Sequence, residues 1–158
     1  MTSTSKVPAV IDYLVTTFQA ANTLGTASPA VAVYDGPPVT QEPAELLLFV
    51  GIDDPDTDEA PTSASSEQSW AALGAQAKTE QISIFCTAES WGGDTDVKAI
   101  RTAAYGIVAA VENLLRGDVM LGGLMQFAGV TGLTLRQNQT TQGAVARVTF
   151  QIEGQARI

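Results

Sequence analysis

A chain of 158 residues is the right length for one domain, and at about 150 residues a domain buries roughly 70% of its unfolded surface, enough to hold together without a metal or disulfide. A single cysteine, Cys86, excludes an intramolecular bridge, and the absence of histidine excludes a Ser-His-Asp relay and removes the commonest general base. The net charge of -9 at pH 7 disfavours binding duplex DNA from outside, because phosphate neutralisation supplies most of that affinity.

No apolar run is long enough to span a bilayer, and residues 1–5 lack the basic-then-apolar plan of a secretory signal. A soluble protein made in a cytoplasm, without a membrane partner, is therefore expected. The first predicted element is a helix over residues 6–21, with Val7, Val10, Ile11, Leu14 and Phe18 on one stripe and Pro8 tolerated in the first turn. Turn-forming residues over 22–29 mark a loop. Residues 30–35 (AVAVYD) then read as a strand, ended by Gly36-Pro37-Pro38. Residues 45–53 (ELLLFVGID) are apolar almost throughout, as expected of a strand covered on both faces and placed centrally in a sheet.

Residues 53–68 (DDPDTDEAPTSASSEQ) mix acids, proline and hydroxyl residues without periodicity, which predicts a mobile surface loop inserted in the domain. Asp54, Asp56 and Asp58 are spaced like the start of a calcium loop, but Glu59 stands where that motif needs glycine and Ser65 where it needs the bidentate glutamate. No metal is assigned here; the acids either keep the loop solvated or meet a basic partner. Over residues 70–91 small residues give way to a strand in which Ile82, Ile84, Cys86 and Ala88 alternate with Ser83, Phe85 and Thr87. Within that strand Cys86 reads as a small buried side chain, not a nucleophile.

The clearest element covers residues 94–117. Val97, Ile100, Ala104, Ile107, Val108, Val111, Leu114 and Leu115 recur at helical spacing on one stripe. Asp94 is placed to cap it, Asp96 to complement the dipole and Gly117 to end it in a left-handed conformation. Asp94 with Lys98 and Glu112 with Arg116 form acid-before-base pairs four apart. Beside the apolar stripe runs a line of small residues, Ala99, Ala103, Gly106 and Ala110. It makes room either for a bulky residue of the same chain or for a neighbouring subunit.

Two long strands close the chain, over residues 124–138 and 143–158, joined by a polar hairpin at 139–142. In the last one Val148, Phe150 and Ile152 face one way and Arg147, Thr149, Gln151 and Glu153 the other. Gly122-Gly123 follows a helix without a phosphate-loop lysine and is a turn, and Asn138-Gln139-Thr140 is a chance match to a glycosylation acceptor. The expected fold is α+β, one domain over residues 1–158, with two helices on one face of a mostly antiparallel sheet of about five strands. No catalytic residue and no cofactor is indicated.

Charge is unevenly distributed along the chain. No basic residue lies between Lys6 and Lys78, a span holding Asp35, Glu42, Glu45, Asp53, Asp54, Asp56, Asp58, Glu59 and Glu67. From Lys98 onward bases outnumber acids, with Arg101, Arg116, Arg136, Arg147 and Arg157 among them. If the halves face different ways, copies can meet head to tail and close into a ring; otherwise both halves are solvated surface.

The first helix, the strand pair around the acidic loop, the strand ending FCTAESW, the helix RTAAYGIVAAVENLLRGD and the hairpin ending VARVTFQIEGQARI together resemble the tail terminator proteins of long-tailed bacteriophages. The resemblance covers nearly the whole chain, rests on layout, and includes no diagnostic short motif. It implies a virion subunit, assembled in the host cytoplasm, that forms a homo-hexameric ring on the tail tube protein. Such a ring stops tube polymerisation, offers its other face to the head connector, and lets DNA pass through its lumen without sequence-specific binding. From charge and expected exposure, contacts between subunits or with the tube are assigned to Asp54, Asp56, Asp58, Glu59, Arg136, Arg147 and Arg157. A head-completion or neck protein of the same particle, and a small acidic calcium- or ligand-binding domain, are the alternatives.

Overall fold

The computed structural model of the chain describes residues 3–38, 44–55, 59–93 and 96–158. Helix α1 spans Val7–Ala20, strand β1 Ala32–Asp35, β2 Leu46–Val50, β3 Ala64–Trp70 and β4 Lys78–Gly92; helix α2 spans Val97–Gly117, β5 Phe127–Thr140 and β6 Gly143–Arg157. No helix among the described residues is long and apolar enough to cross a membrane.

The six strands form one sheet in the order β1-β2-β4-β6-β5, with β3 also paired to β4. The 15-residue β4 organises it. One side of β4 pairs along its length with β6, while the other is shared: β3 takes the first half, Trp70 opposite Lys78 to Ala64 opposite Ile84, and β2 the second, Val50 opposite Cys86 to Leu46 opposite Ser90. All pairings are antiparallel except β1 with β2.

Period-two alternation sends one set of side chains to the helices. Leu48 and Val50, then Ile82, Ile84, Cys86 and Ala88, then Val148, Phe150 and Ile152 meet Leu14 and Phe18 of α1 and Ile100, Ile107, Val108 and Val111 of α2 in a single core. Each fully buried Leu, Ile or Phe there contributes about 1.5–3 kcal/mol relative to exposure. The opposite face carries a smaller cluster, Leu47, Phe49 and Ile52, with Tyr34 stacked on Phe49 at 5.5 Å between ring centroids. That second cluster explains why β2 is apolar without alternation.

The α+β class and the helix-covered sheet are as the sequence predicts, but the strands number six. The additional one is β3, inside and just past the stretch expected to be a loop. Its residues ASSEQSW are exposed after the first, so both faces are wet and neither periodicity nor apolarity marks it. β2 lies second from an edge instead of at the centre. At the start of α2, Asp96 is the N-cap, accepting the Ala99 N–H at 3.1 Å; Asp94, expected in that role and as partner of Lys98, lies outside the described residues. The other end of α2 does not close on a left-handed Gly117. Asp118 stops it with φ -150°, and the left-handed residues are Leu121, Gly122 and Gly123 in the following turn. Val97 heads the apolar stripe yet remains 37% exposed. A Cβ on Gly106 would meet nothing within 4 Å, so that glycine makes no room for a residue of its own chain.

Candidate functional site

The face of the sheet turned away from the helices holds Arg136 and Arg147, two of the charged groups the sequence singles out. Asp54 and Arg136 meet across it, with the Arg136 Nη1 donating to Asp54 Oδ2 at 3.3 Å. Asp54 follows β2 and Arg136 lies on β5, with β4 and β6 between them. Asp54 therefore reaches over the outer face of the sheet. A hollow lined by Asp53, Phe85, Thr134, Thr149 and Gln151 lies under this crossing, and Asp53 Oδ1 accepts the Thr62 N–H at 2.9 Å, pinning the segment before it enters β3.

Glu89 and Arg147 stand directly opposite each other on β4 and β6. Arg147 Nε donates to Glu89 Oε1, and the guanidinium lies 5.6 Å from the centroid of the Trp91 ring. The side chains are 13% exposed for Arg147 and 3% for Glu89. Cross-strand opposition, a planar fork and an aromatic face together fix this pair. The expected exposure of Arg147 is thus corrected: its β position points away from the core as predicted, but that face is covered there by Trp91 and Glu89.

Of the other positions, Glu59 and Arg157 are exposed, and Asp56 and Asp58 lie outside the described residues. Asp54–Arg136 and Glu89–Arg147 each join an acid from the first 89 residues to a base from the closing hairpin. The uneven charge along the sequence is partly neutralised within one chain at these points.

A buried carboxylate on the core side has no counterpart among those residues. Glu80 is fully buried, accepting the Ser5 hydroxyl at 2.5 Å, the Lys6 N–H at 2.8 Å and the Gln68 amide at 3.3 Å. Burial alone pushes its carboxyl upward, but donation from Lys6, Ser5, Gln68 and Ser66 outweighs burial and holds it below the usual carboxylate range. A signal for it does exist in the sequence: Glu80 shares the parity of Ile82, Ile84 and Cys86, which places a carboxylate on an inward track. Across the same layer the Tyr13 hydroxyl donates to Asp118 Oδ2 at 2.5 Å, tying α1 to the end of α2. This bond, followed by burial and the Asp118 charge, raises the Tyr13 phenol above its ordinary value.

Cys86 is fully buried and its thiol is pushed up to about 12 by burial, so it carries no thiolate character at neutral pH. Among the described residues no group of three or more Cys, Asp or Glu gathers as a metal site. The fold defines the class, a two-layer α+β domain with a long-stranded sheet. No protein-family model and no curated protein matches the chain.

Proposed function

We propose that this chain is a structural subunit of a bacteriophage tail, a terminator that forms a hexameric ring capping the tail tube and presenting its far side to the head connector. The observation that carries the reading is the order and packing of elements. A first helix, an acidic crossing segment, a long helix and a closing hairpin of two long strands make one sheet with helices on one side, which is the layout of the resemblance. The exposed apolar side chains support an assembling surface. Trp70, Leu73, Met120 and Phe127 are 51% exposed or more. Trp70 lies opposite Lys78, Phe127 lies opposite Gln155, and Lys78 bonds to Ile158, so both flank one end of the sheet. Leu73 follows Trp70 at that end, and Met120 sits in the turn that feeds β5. Trp70 shares the inward parity of Glu80 while Phe127 has the outward parity of Gln81, so large apolar side chains are exposed on both faces toward this end, which suits contact with other proteins.

The calcium-binding alternative gains no support from the acidic segment, where Asp54 faces Arg136 and Asp53 is bonded to the chain at Thr62. The test is to add purified protein to uncapped tail tubes of the same particle and image them by electron microscopy. A ring at one end of each tube and arrested growth are expected. Tubes that grow on unaltered, with no density at their ends, overturn the reading.

A further inference from the structure

We infer that copies of this chain join edge to edge, the outer edge of β3 in one copy pairing antiparallel with the outer edge of β5 in the next. This names a contact within the ring proposed above and rests on that reading for its closure.

An unpaired strand edge is a template for another strand, and proteins that stay monomeric blunt their edges with short strands, proline or charge. β1 is blunted in all these ways. It has four residues, ends on Asp35 and runs into Gly36-Pro37-Pro38. β3 and β5 are not. β3 has seven residues with one charge, Glu67, and β5 has 14 with one charge, Arg136; neither contains lysine or proline. Among the described residues each pairs on one side only, β3 with β4 and β5 with β6. In β5 the ladder is regular over Phe127 to Thr131 and irregular between Thr131 and Thr134. Residues 127–130 of this part lie level with 64–67 of β3: Ala64 pairs with Ile84, Ile84 with Ile152, and Ile152 with Val130.

Strand direction fixes the kind of partner. β3, β4, β6 and β5 are antiparallel at each step, so β3 and β5 run in opposite directions. A second copy in the same orientation therefore continues the alternation without a break. The contact is heterologous, and a twisted sheet extended this way closes into a ring when the rotation permits. Pairing β5 with β5 about a two-fold axis would leave both β3 edges open, and pairing those as well would make an open ribbon. One β3–β5 contact covers both edges.

The test uses two positions at the same level, Ser65→Cys in β3 and Gly129→Cys in β5, where an added side chain meets nothing within 4 Å, in the full chain, with Cys86 buried and silent. A short bismaleimide is added over a range of protein concentrations, and products are read on denaturing gels. Mixed single variants should give dimers, either single variant alone should give none, and the double variant should give a ladder. Dimers from one single variant alone, a mixture without dimers, or a protein that scatters light as a monomer at every concentration overturns the inference. Cross-linking in a protein that fails to cap tubes leaves the edge contact standing and removes the tail reading. Capping without cross-links does the reverse.

Discussion

The Glu80 carboxylate accepts the Lys6 backbone N–H at 2.8 Å across 74 residues of sequence, so a strand side chain caps a helix whose own N-cap residue supplies no side-chain bond. The first N–H groups of a helix need acceptors, and a negative charge there also meets the positive end of the dipole. Glu80→Ala leaves these donors without their acceptor inside the protein and should cost about 1–3 kcal/mol, read as a lower midpoint in urea. The pH dependence has a definite sign. Because the folded carboxyl is held below its ordinary value of 4.5, its contribution is fully present above that value and is lost as pH falls through the lower folded one. Glu80→Gln should flatten the acid limb of the stability curve while leaving the neutral plateau lowered.

Arg147 and Glu89 form a pair in which neither charge has much access to water, so removing Arg147 leaves the Glu89 carboxylate buried without that bond. Arg147→Glu would set two carboxylates face to face beside Trp91 and should destabilise the fold by about 3–5 kcal/mol, whereas replacing both partners by Met should be close to neutral. Urea unfolding of the two variants separates these outcomes. Loss of assembly in Arg147→Glu would therefore report on folding first. Arg157, which is exposed, and Arg136, whose side chain is 60% exposed in its bond to Asp54, are the positions where charge reversal tests a contact.

Most of this fold is legible in the sequence where burial imposes a period. The stripe of α2 from Ile100 to Leu115, the alternation of Ile82 to Ala88, and the parity of Val148, Phe150 and Ile152 all appear in the structure with the faces assigned. β3 is hidden because a strand wet on both faces obeys no hydrophobic period. The ion pairs are hidden for a different reason. Arg147 alternates outward as read, but its burial depends on the register that sets Glu89 opposite and Trp91 alongside, and register across strands 58 residues apart is not written in either strand alone. Asp54 meeting Arg136 likewise needs the path of a loop that composition marks only as polar.

Cys86 gives a probe of opening that needs no mutation. Its side chain is sealed in the core, so alkylation in the folded state must wait for an opening event and should proceed at a rate set by global stability. At pH 8 the native protein should resist iodoacetamide and label rapidly in denaturant. The Glu80→Ala variant should label faster under native conditions, in proportion to its lost stability. Labelling of the native protein at the rate of a free thiol would mean that β4 opens locally and that the core between the sheet and α2 is not closed over it.

Two glycines should respond to alanine with opposite signs. Gly154 on β6 is buried, and a Cβ there would lie 2.1 Å from the Phe127 carbonyl oxygen and 2.7 Å from Met125 Cε. The carbonyl belongs to the first residue of β5 and cannot retreat without opening the β5–β6 ladder, so Gly154→Ala should cost about 1–3 kcal/mol. Gly106 lies exposed in the middle of α2 with open space around it. Gly106→Ala there should gain about 1 kcal/mol of helix stability, raising Tm by about 2–4 °C for a chain of this size. Calorimetry on the monomer reads both. The same Gly106 variant also tests what the small-residue line through Ala99, Ala103 and Ala110 is for: if a neighbouring subunit packs closely against it, a more stable monomer will associate more weakly. A stability gain with association unchanged would leave the line as solvent-facing helix surface.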